Sequence, residues 1–272
     1  MKNFKKLLAV LLAGLMLLSL AACGGKDDVE KSGALHVNMS GLSDEHFKHI
    51  GDDLGFADVE TVEYNNLSTA LMDLESGKIQ AIGLEACIAK YIAAHNENII
   101  AEFTSSDRTN FSMMTMDTNT EVYDILNNAI KAMKEDGTLD SLIANELEAY
   151  INSDPEPKDL PHFDGAKTIK VGVTGDVPPM DFVASNGKAA GFNIALLAEI
   201  ANRAQVNIEL VQVDTDARAM ALSSGKVDAV FWTKNATCTV CGATGAEKID
   251  GTLVTESYYS DYSASIMLKS EK

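Results

Sequence analysis

Ile169-Lys-Val-Gly-Val-Thr-Gly-Asp-Val-Pro-Pro-Met-Asp-Phe182 reads as a short apolar strand, Ile169 to Val173, that runs into a Gly- and Pro-bearing turn. Downstream, Asn193 to Ala204 reads as a helix, Ile208 to Val213 as a strand, Asp216 to Ser223 as a short helix and Val227 to Trp232 as another strand. Upstream the alternation is similar. Strands are expected at Ala34–Met39, Val59–Glu63 and Ile79–Gly83, and helices at about Asp44–Leu54, Leu67–Ser76 and Glu85–Ala94. Val122, Ile125, Ala129, Ile130 and Met133 share one face of a helix over Glu121–Glu135, which Asn119 or Thr120 can cap and Gly137 ends. Leu139 to Ile151 supplies one more. Strands alternating with helices imply parallel-rich sheets flanked by helices, so the expected class is α/β.

Composition narrows the function. The 272 residues carry 22 Lys+Arg against 40 Asp+Glu, a net charge of −18, which argues against binding to a phosphate backbone. A 46% hydrophobic fraction with 23% charged residues suits a folded chain. At the N-terminus Lys2, Lys5 and Lys6 precede an apolar run, Leu7 to Leu20, and then Leu20-Ala-Ala-Cys23-Gly-Gly25. This resembles the lipobox of bacterial lipoproteins, which implies a signal peptide over 1–22 and a diacylglyceryl group on the Cys23 thiol. Removing residues 1–22, with three lysines and no acid, leaves 250 residues at −21. Residues 23–33 would be a polar tether, and the chain would work outside the cytoplasm on a lipid anchor. Pro155, Pro157 and Pro161 mark a linker over 152–165, since proline neither continues a helix nor donates to a sheet ladder.

The Ile169–Phe182 segment, with Asn186-Gly-Lys, Gly191-Phe-Asn-Ile and Leu222-Ser-Ser-Gly-Lys-Val-Asp-Ala-Val230, resembles the first lobe of the family 3 extracellular solute-binding proteins, the receptors of amino-acid-type ABC importers. Val37-Asn-Met-Ser-Gly-Leu-Ser43 and Leu71 to Ile82 are similar to parts of that family's second lobe. Leu126 to Leu142 is similar to its C-terminal helices. The resemblance implies a two-lobed, type II periplasmic-binding-protein-like fold with its lobes in permuted order: lobe 2 over 34–113, the parent's C-terminal helices over 114–151, and lobe 1 over 166–272. It further implies a single remaining covalent crossing between the lobes, near Phe111 to Met116, with Ser265 to Lys269 as a former hinge segment.

Carried over residue by residue, the resemblance places ligand contacts at Ser40, Gly41 and Ser43, ahead of a helix whose free N–H groups favour an anion. Ser43 also suits simple N-capping. Glu85 stands where the family binds the ligand amine, and reads equally as an exposed acid in a helix's first turn. Lys248, in Glu247-Lys248, takes the place of the family's arginine without its bidentate fork, or is a solvated surface lysine. Asp176 and Met180 belong to the loop after the first-lobe strand, and Met180 suits core packing or a cleft wall better than a specific contact. Trp232, Thr233 and Lys234 end a strand, where α/β clefts bind ligands, though Trp232 also suits core packing. Val177, Met180 and Thr215 stand where aromatic walls are common. Cys238 and Cys241 are expected to form a disulfide staple; a zinc pair would need two more ligands, which no nearby His supplies, and a thioredoxin-like redox motif would sit at a helix start in another fold. Cys87 is left as a small buried residue. His46 and His49, i and i+3 on a helix, suit a solvated face better than a metal site. No cofactor or metal is expected.

The function implied is a membrane-tethered, non-enzymatic and monomeric receptor. It would capture a small polar solute, an amino acid or related carboxylate, and pass it to ABC permease and ATPase subunits. The alternatives are a sensor signalling to a membrane partner and, on the same fold, a dehydratase-type enzyme.

Overall fold

A computed structural model describes residues 31–37, 52, 56–62, 64–237, 244–246 and 249–269, with backbone alone at 31–37, 56–59, 61, 103–107, 232–237 and 244–246. Ten strands form one mixed sheet, and a second, small antiparallel sheet holds three more, β6 (Asp176–Val177), β7 (Asp181–Val183) and β8 (Ala189–Ala190). One edge is a parallel group: β1 (Lys31–Val37) between β2 (Phe56–Val62) and β3 (Ala81–Glu85). The other is β5 (Thr168–Val173), parallel to both β9 (Asn207–Gln212) and β10 (Ala229–Thr237). Between them lie two long antiparallel strands, β4 (Ile99–Met116) and β13 (Tyr259–Leu268). Two short strands are side branches: β11 (Thr244–Ala246) on β10 and β12 (Thr252–Val254) on β4.

Register fixes where the groups meet. The first group reaches β4 through β13, which pairs Leu268–Ala264 with Ile99–Phe103 and Met267–Ser263 with Ala81–Glu85. The second group pairs Ala229–Ala236 of β10 with Thr115–Thr109 of β4. Because β10 runs opposite to β3, the C-terminal ends of both groups point at the same middle stretch of β4 and β13. The ladder is irregular there: between Tyr262 and Ala264 the β4 partners jump from Arg108 to Phe103.

Helices cover this sheet. They are α1 (Leu67–Glu75), α2 (Ala86–His95), α3 (Thr120–Glu135), α4 (Thr138–Glu146), α5 (Phe192–Ala204) and α6 (Arg218–Ser223). On α3 four of the five expected positions are inside, Val122, Ala129, Ile130 and Met133; Ile125 is half-buried and Leu126 is buried beside them. One apolar cluster runs from Leu74, Ile82 and Ile88 through Phe111 and Met113 to Leu126, Val171 and Leu196, so both strand groups share a core. Each such side chain, fully buried, contributes roughly 1.5–3 kcal/mol. Among the described residues no helix is long and apolar enough to cross a membrane.

Several expectations need correction. The strand β13 runs from Tyr259 beside Phe111 to Leu268, where the Lys269 N–H donates to the Asn98 carbonyl (2.8 Å), so two strands and not one span the sheet between the groups. Lys31, Ser32 and Gly33, assigned to a tether, pair with Phe56, Asp58 and Val59 in β1. The Pro-bearing stretch is laid against the body rather than hanging free. Pro155 is buried, the Lys158 N–H donates to the Ala189 carbonyl, and Asn207 holds the Phe163 backbone through both its amide oxygen and nitrogen. Gly137 ends α3 as expected, a left-handed glycine (φ +78°) directly after the Asp136 C-cap, and it is at the same time the N-cap of α4. The helix expected over Leu139–Ile151 stops at Glu146, followed by a 3-10 turn over Glu148–Tyr150. The expected helix at about Asp44–Leu54 lies outside the described residues, apart from Asp52.

Candidate functional site

The strand ends that converge on the middle of β4 and β13 carry Glu85, Cys87, Asp176, Met180, Tyr259 and Asp261. Glu85 is the last residue of β3 and the N-cap of α2, and it is buried, not exposed as an ordinary first-turn acid would be. Two residues on, the Cys87 N–H donates to Asp261 Oδ2 (2.8 Å), so a carboxylate from β13 caps α2 from outside the helix. Asp261 Oδ1 accepts from the Tyr262 N–H (2.8 Å).

The Cys87 thiol contacts Met180 Sδ at 3.8 Å, which joins α2 to the loop that follows β5. Burial, together with the negative charges of Asp261 and Glu85, pushes this thiol well up. It stays protonated at neutral pH and behaves as a small apolar group. Burial raises the Tyr259 hydroxyl far above its ordinary value, with Cys87 and Asp261 adding to the effect.

Asp181 organises the loop after β5. Its Oδ1 accepts from the Thr174 N–H (2.9 Å), the Thr174 hydroxyl (2.6 Å) and the Gly175 N–H (2.8 Å), and its Oδ2 from Asn193 Nδ2 (2.7 Å) on α5. Gly175 turns at φ +79°, and Gly191 at φ +108°, where an added Cβ would lie 2.4 Å from the Met180 carbonyl oxygen. The Pro178–Pro179 bond is cis. This fixed loop carries Asp176 close to the N-terminus of α1. Burial pushes the Asp176 carboxyl up, as do the charges of Asp181 and Asp214, against the helix N–H groups that lower it.

An aromatic cluster lies alongside. Phe111 stacks on Tyr259 (5.9 Å), Phe192 leans on Tyr258 and Tyr259, and Phe231 meets Tyr258 edge-on (5.5 Å). Arg218, buried beneath β10, donates to the carbonyls of Thr215 and Phe231 (both 3.0 Å).

Of the sequence-expected site residues, Glu85, Asp176 and Met180 therefore come to this junction. Met180 is fully buried against Cys87 rather than lining an open wall. The backbone of Trp232, Thr233 and Lys234 lies in β10, with Thr233 and Lys234 paired to Ser112 and Phe111; their side chains lie outside the described set. Ser40, Gly41, Ser43, Lys248, Cys23, Cys238, Cys241, His46 and His49 also lie outside it. Cys87 is buried on α2 and unpaired as a disulfide. Sequence reasoning missed Asp181, Asp261, Arg218 and the aromatic cluster. The turn-forming Thr174-Gly175 followed by Asp181 was a usable signal for the first. Nothing local marked Asp261, which acts on a helix 174 positions away in the chain.

Residues 169–239, from β5 into the segment after β10, match the profile of the bacterial extracellular solute-binding proteins, family 3. Three solved structures align with most of this chain. The GluR0 ligand-binding core in complex with L-glutamate is 10% identical over 89% of this chain and 87% of that one, with a TM-score of 0.43. A probable amino-acid ABC transporter extracellular-binding protein from Bacillus subtilis is 8% identical over 89% and 86%, with 0.45. A putative L-cystine ABC transporter from Listeria monocytogenes is 10% identical over 89% and 84%, with 0.41. No curated protein sequence matches the chain significantly. The sequence likeness to the family rests on residues 169–239.

Proposed function

We propose that this chain is an extracytoplasmic solute-binding protein, lipid-anchored through Cys23, that binds a small polar solute between two lobes and delivers it to an ABC importer. The first lobe holds β5, β9 and β10, and the second β1, β2 and β3. The β4–β13 pair is the hinge. The lobes follow the parent fold in permuted order. The observation that carries this reading is the convergence of two opposed strand groups on one junction, with the family-matching segment supplying one side of it. Ligands of open α/β sheets bind at the C-terminal ends of the strands, and here two sets of such ends face each other.

Glu85, buried at the end of β3, is the residue we assign to a ligand amine, where a charge-assisted hydrogen bond is strong. Lys248 and Lys234 are the proposed partners of a ligand carboxylate, Ser40, Gly41 and Ser43 its backbone cradle, and Trp232 an apolar wall. Closure around the solute is the functional step, and no chemistry is performed on it.

The test is a thermal-shift screen of amino acids and small carboxylates on residues 23–272. A ligand at ~100-fold its dissociation constant adds about 2.7 kcal/mol of stability. Glu85→Ala is expected to abolish the shift for an amine-bearing ligand. A shift that survives Glu85→Ala, Lys248→Ala and Trp232→Ala alike overturns the site. For the anchor, Cys23→Ser is expected to move the chain from the membrane fraction to the soluble one.

A further inference from the structure

We propose that the Pro-bearing segment over 152–165 is a strap across the two halves of the molecule, fastened to α2 by the hydrogen bond between Tyr91 and Asp154, so that the halves part only when that bond breaks. This rests on the two-lobed reading above and adds to it a contact that holds the lobes together before any solute arrives.

Both feet of the strap stand on the half that carries β5, β9 and β10. At its start the Ser153 N–H donates to the Tyr150 carbonyl (3.3 Å), just past α4, which packs on α5. Further on, Pro157 bridges to Ala190 of β8, and the Lys158 N–H donates to the Ala189 carbonyl (3.4 Å). Lys158 Nζ meets Glu146 Oε1 on α4 (2.7 Å), and Lys188 Nζ meets Asp159 Oδ1 (2.9 Å). Pro155, Pro157 and Pro161 each fix a backbone angle, so the segment has little slack. Between these ties Asp154 reaches α2, which belongs to the other half.

There the Tyr91 hydroxyl donates to Asp154 Oδ1 (2.5 Å), and a hydrogen bond to a carboxylate is of the stronger kind. The phenol is aimed by its own helix. Tyr91 is buried, its ring stacks on His95 one turn on (4.0 Å between centroids), and His95 Nδ1 donates to the Tyr91 carbonyl (2.8 Å). His95 Nε2 faces the same Asp154 oxygen at 3.8 Å. Among the described residues every side-chain hydrogen bond and ion pair of Asp154 goes to α2, although its side chain is 78% exposed and Pro155 beside it is buried. One turn earlier on α2, Cys87 Sγ meets Met180 Sδ on the loop after β5 (3.8 Å). Cys87 and Tyr91, at i and i+4, share a face of the helix. One stripe of α2 therefore meets the other half twice, first at that loop and then at the strap.

The experiment uses residues 23–272 without solute, as wild type, Tyr91→Phe, Asp154→Ala and the double variant. Small-angle scattering and amide hydrogen exchange are read at pH 8, where imidazole side chains are ordinarily uncharged. Tyr91→Phe removes the hydroxyl and keeps the ring on His95, and Asp154→Ala changes an exposed side chain, so each takes away one side of the bond. In all three variants the radius of gyration is expected to rise. Exchange at Cys87–Ile88 and Gly175–Val177 is expected to quicken about two- to tenfold. The double variant should match either single one, because all three lose the same bond. Faster exchange confined to 152–156, with an unchanged radius, would make the bond a local pin and overturn the strap. Additive effects in the double variant, or no change in any, would overturn it too. Exchange across Leu126–Met133 reports whether the body stays folded; if Tyr91→Phe disturbs it, Asp154→Ala decides alone. A solute that raises the melting temperature of variants with the wild-type radius keeps the receptor reading and removes the strap. A strap that behaves as expected in a chain no solute stabilises does the reverse.

Discussion

Replacing Asp181 by alanine removes the acceptor for four donors at once. The Thr174 N–H, the Thr174 hydroxyl and Asn193 Nδ2 are buried, and the Gly175 N–H is half-buried. A buried donor without a partner costs ~1–3 kcal/mol, so independent losses would exceed what a single site usually shows. The donors share one acceptor, and water can reach Gly175 as the loop relaxes. We therefore expect Asp181→Ala to destabilise by about 3–4 kcal/mol. Asp181→Asn keeps an oxygen for Thr174 and Gly175 but turns a donor toward Asn193. Asn193 Oδ1 has no hydrogen-bond partner among the described residues, so a flip of that amide restores the pair. The expected cost of Asp181→Asn is about 1 kcal/mol. Equilibrium urea denaturation followed by circular dichroism measures both, with the slope checked for two-state behaviour. A loss below ~1 kcal/mol for Asp181→Ala, or equal losses for the two variants, refutes the reasoning.

Gly191→Ala should prevent α5 from seating, since the new Cβ would overlap the Met180 carbonyl and φ is +108°. A loss of about 3 kcal/mol or more is expected from thermal denaturation, and an unchanged melting point contradicts the placement. Cys87 should resist iodoacetamide at pH 8 in the folded chain and react in urea, read by mass spectrometry of its peptide; modification without urea contradicts its burial and raised thiol. The Thr138 hydroxyl and then Arg203 hold the Asp136 carboxyl at about 2. A lowered carboxyl lends stability above its unfolded value and loses it as pH falls through the folded one. The wild type should therefore exceed Asp136→Asn in melting temperature at pH 7, and the gap should close between about pH 4 and pH 2. A gap that persists at pH 2 contradicts the assignment.

How much was legible in the sequence follows from how local each determinant is. The helix over Thr120–Glu135 and the strand over Thr168–Val173 carry their own periodicity and stop signals, and both appear within a residue or so of expectation. The two spanning strands were not legible. Ile99–Met116 mixes Thr, Ser, Asp, Arg and Asn with apolar residues, because it passes from one set of neighbours to another and is buried on different faces along its length. Its strand character comes from pairing, which no local window holds. The site divides the same way. Glu85 was singled out by the family resemblance, while its local pattern reads equally as an exposed first-turn acid. The aromatic cluster was missed because Phe111, Phe192, Tyr258 and Tyr259 gather from three separate stretches of chain. Asp261 escaped for the same reason: its partner amide belongs to an element at the other end of the chain.

The central claim is that one solute is gripped by both strand groups together. Amide hydrogen exchange with and without a solute from the thermal-shift screen tests it most directly. The account predicts that Glu85–Ile88 and Gly175–Asp181 gain protection together, at the same solute concentration. Protection confined to one of these segments, with the other exchanging as in the free chain, would contradict it.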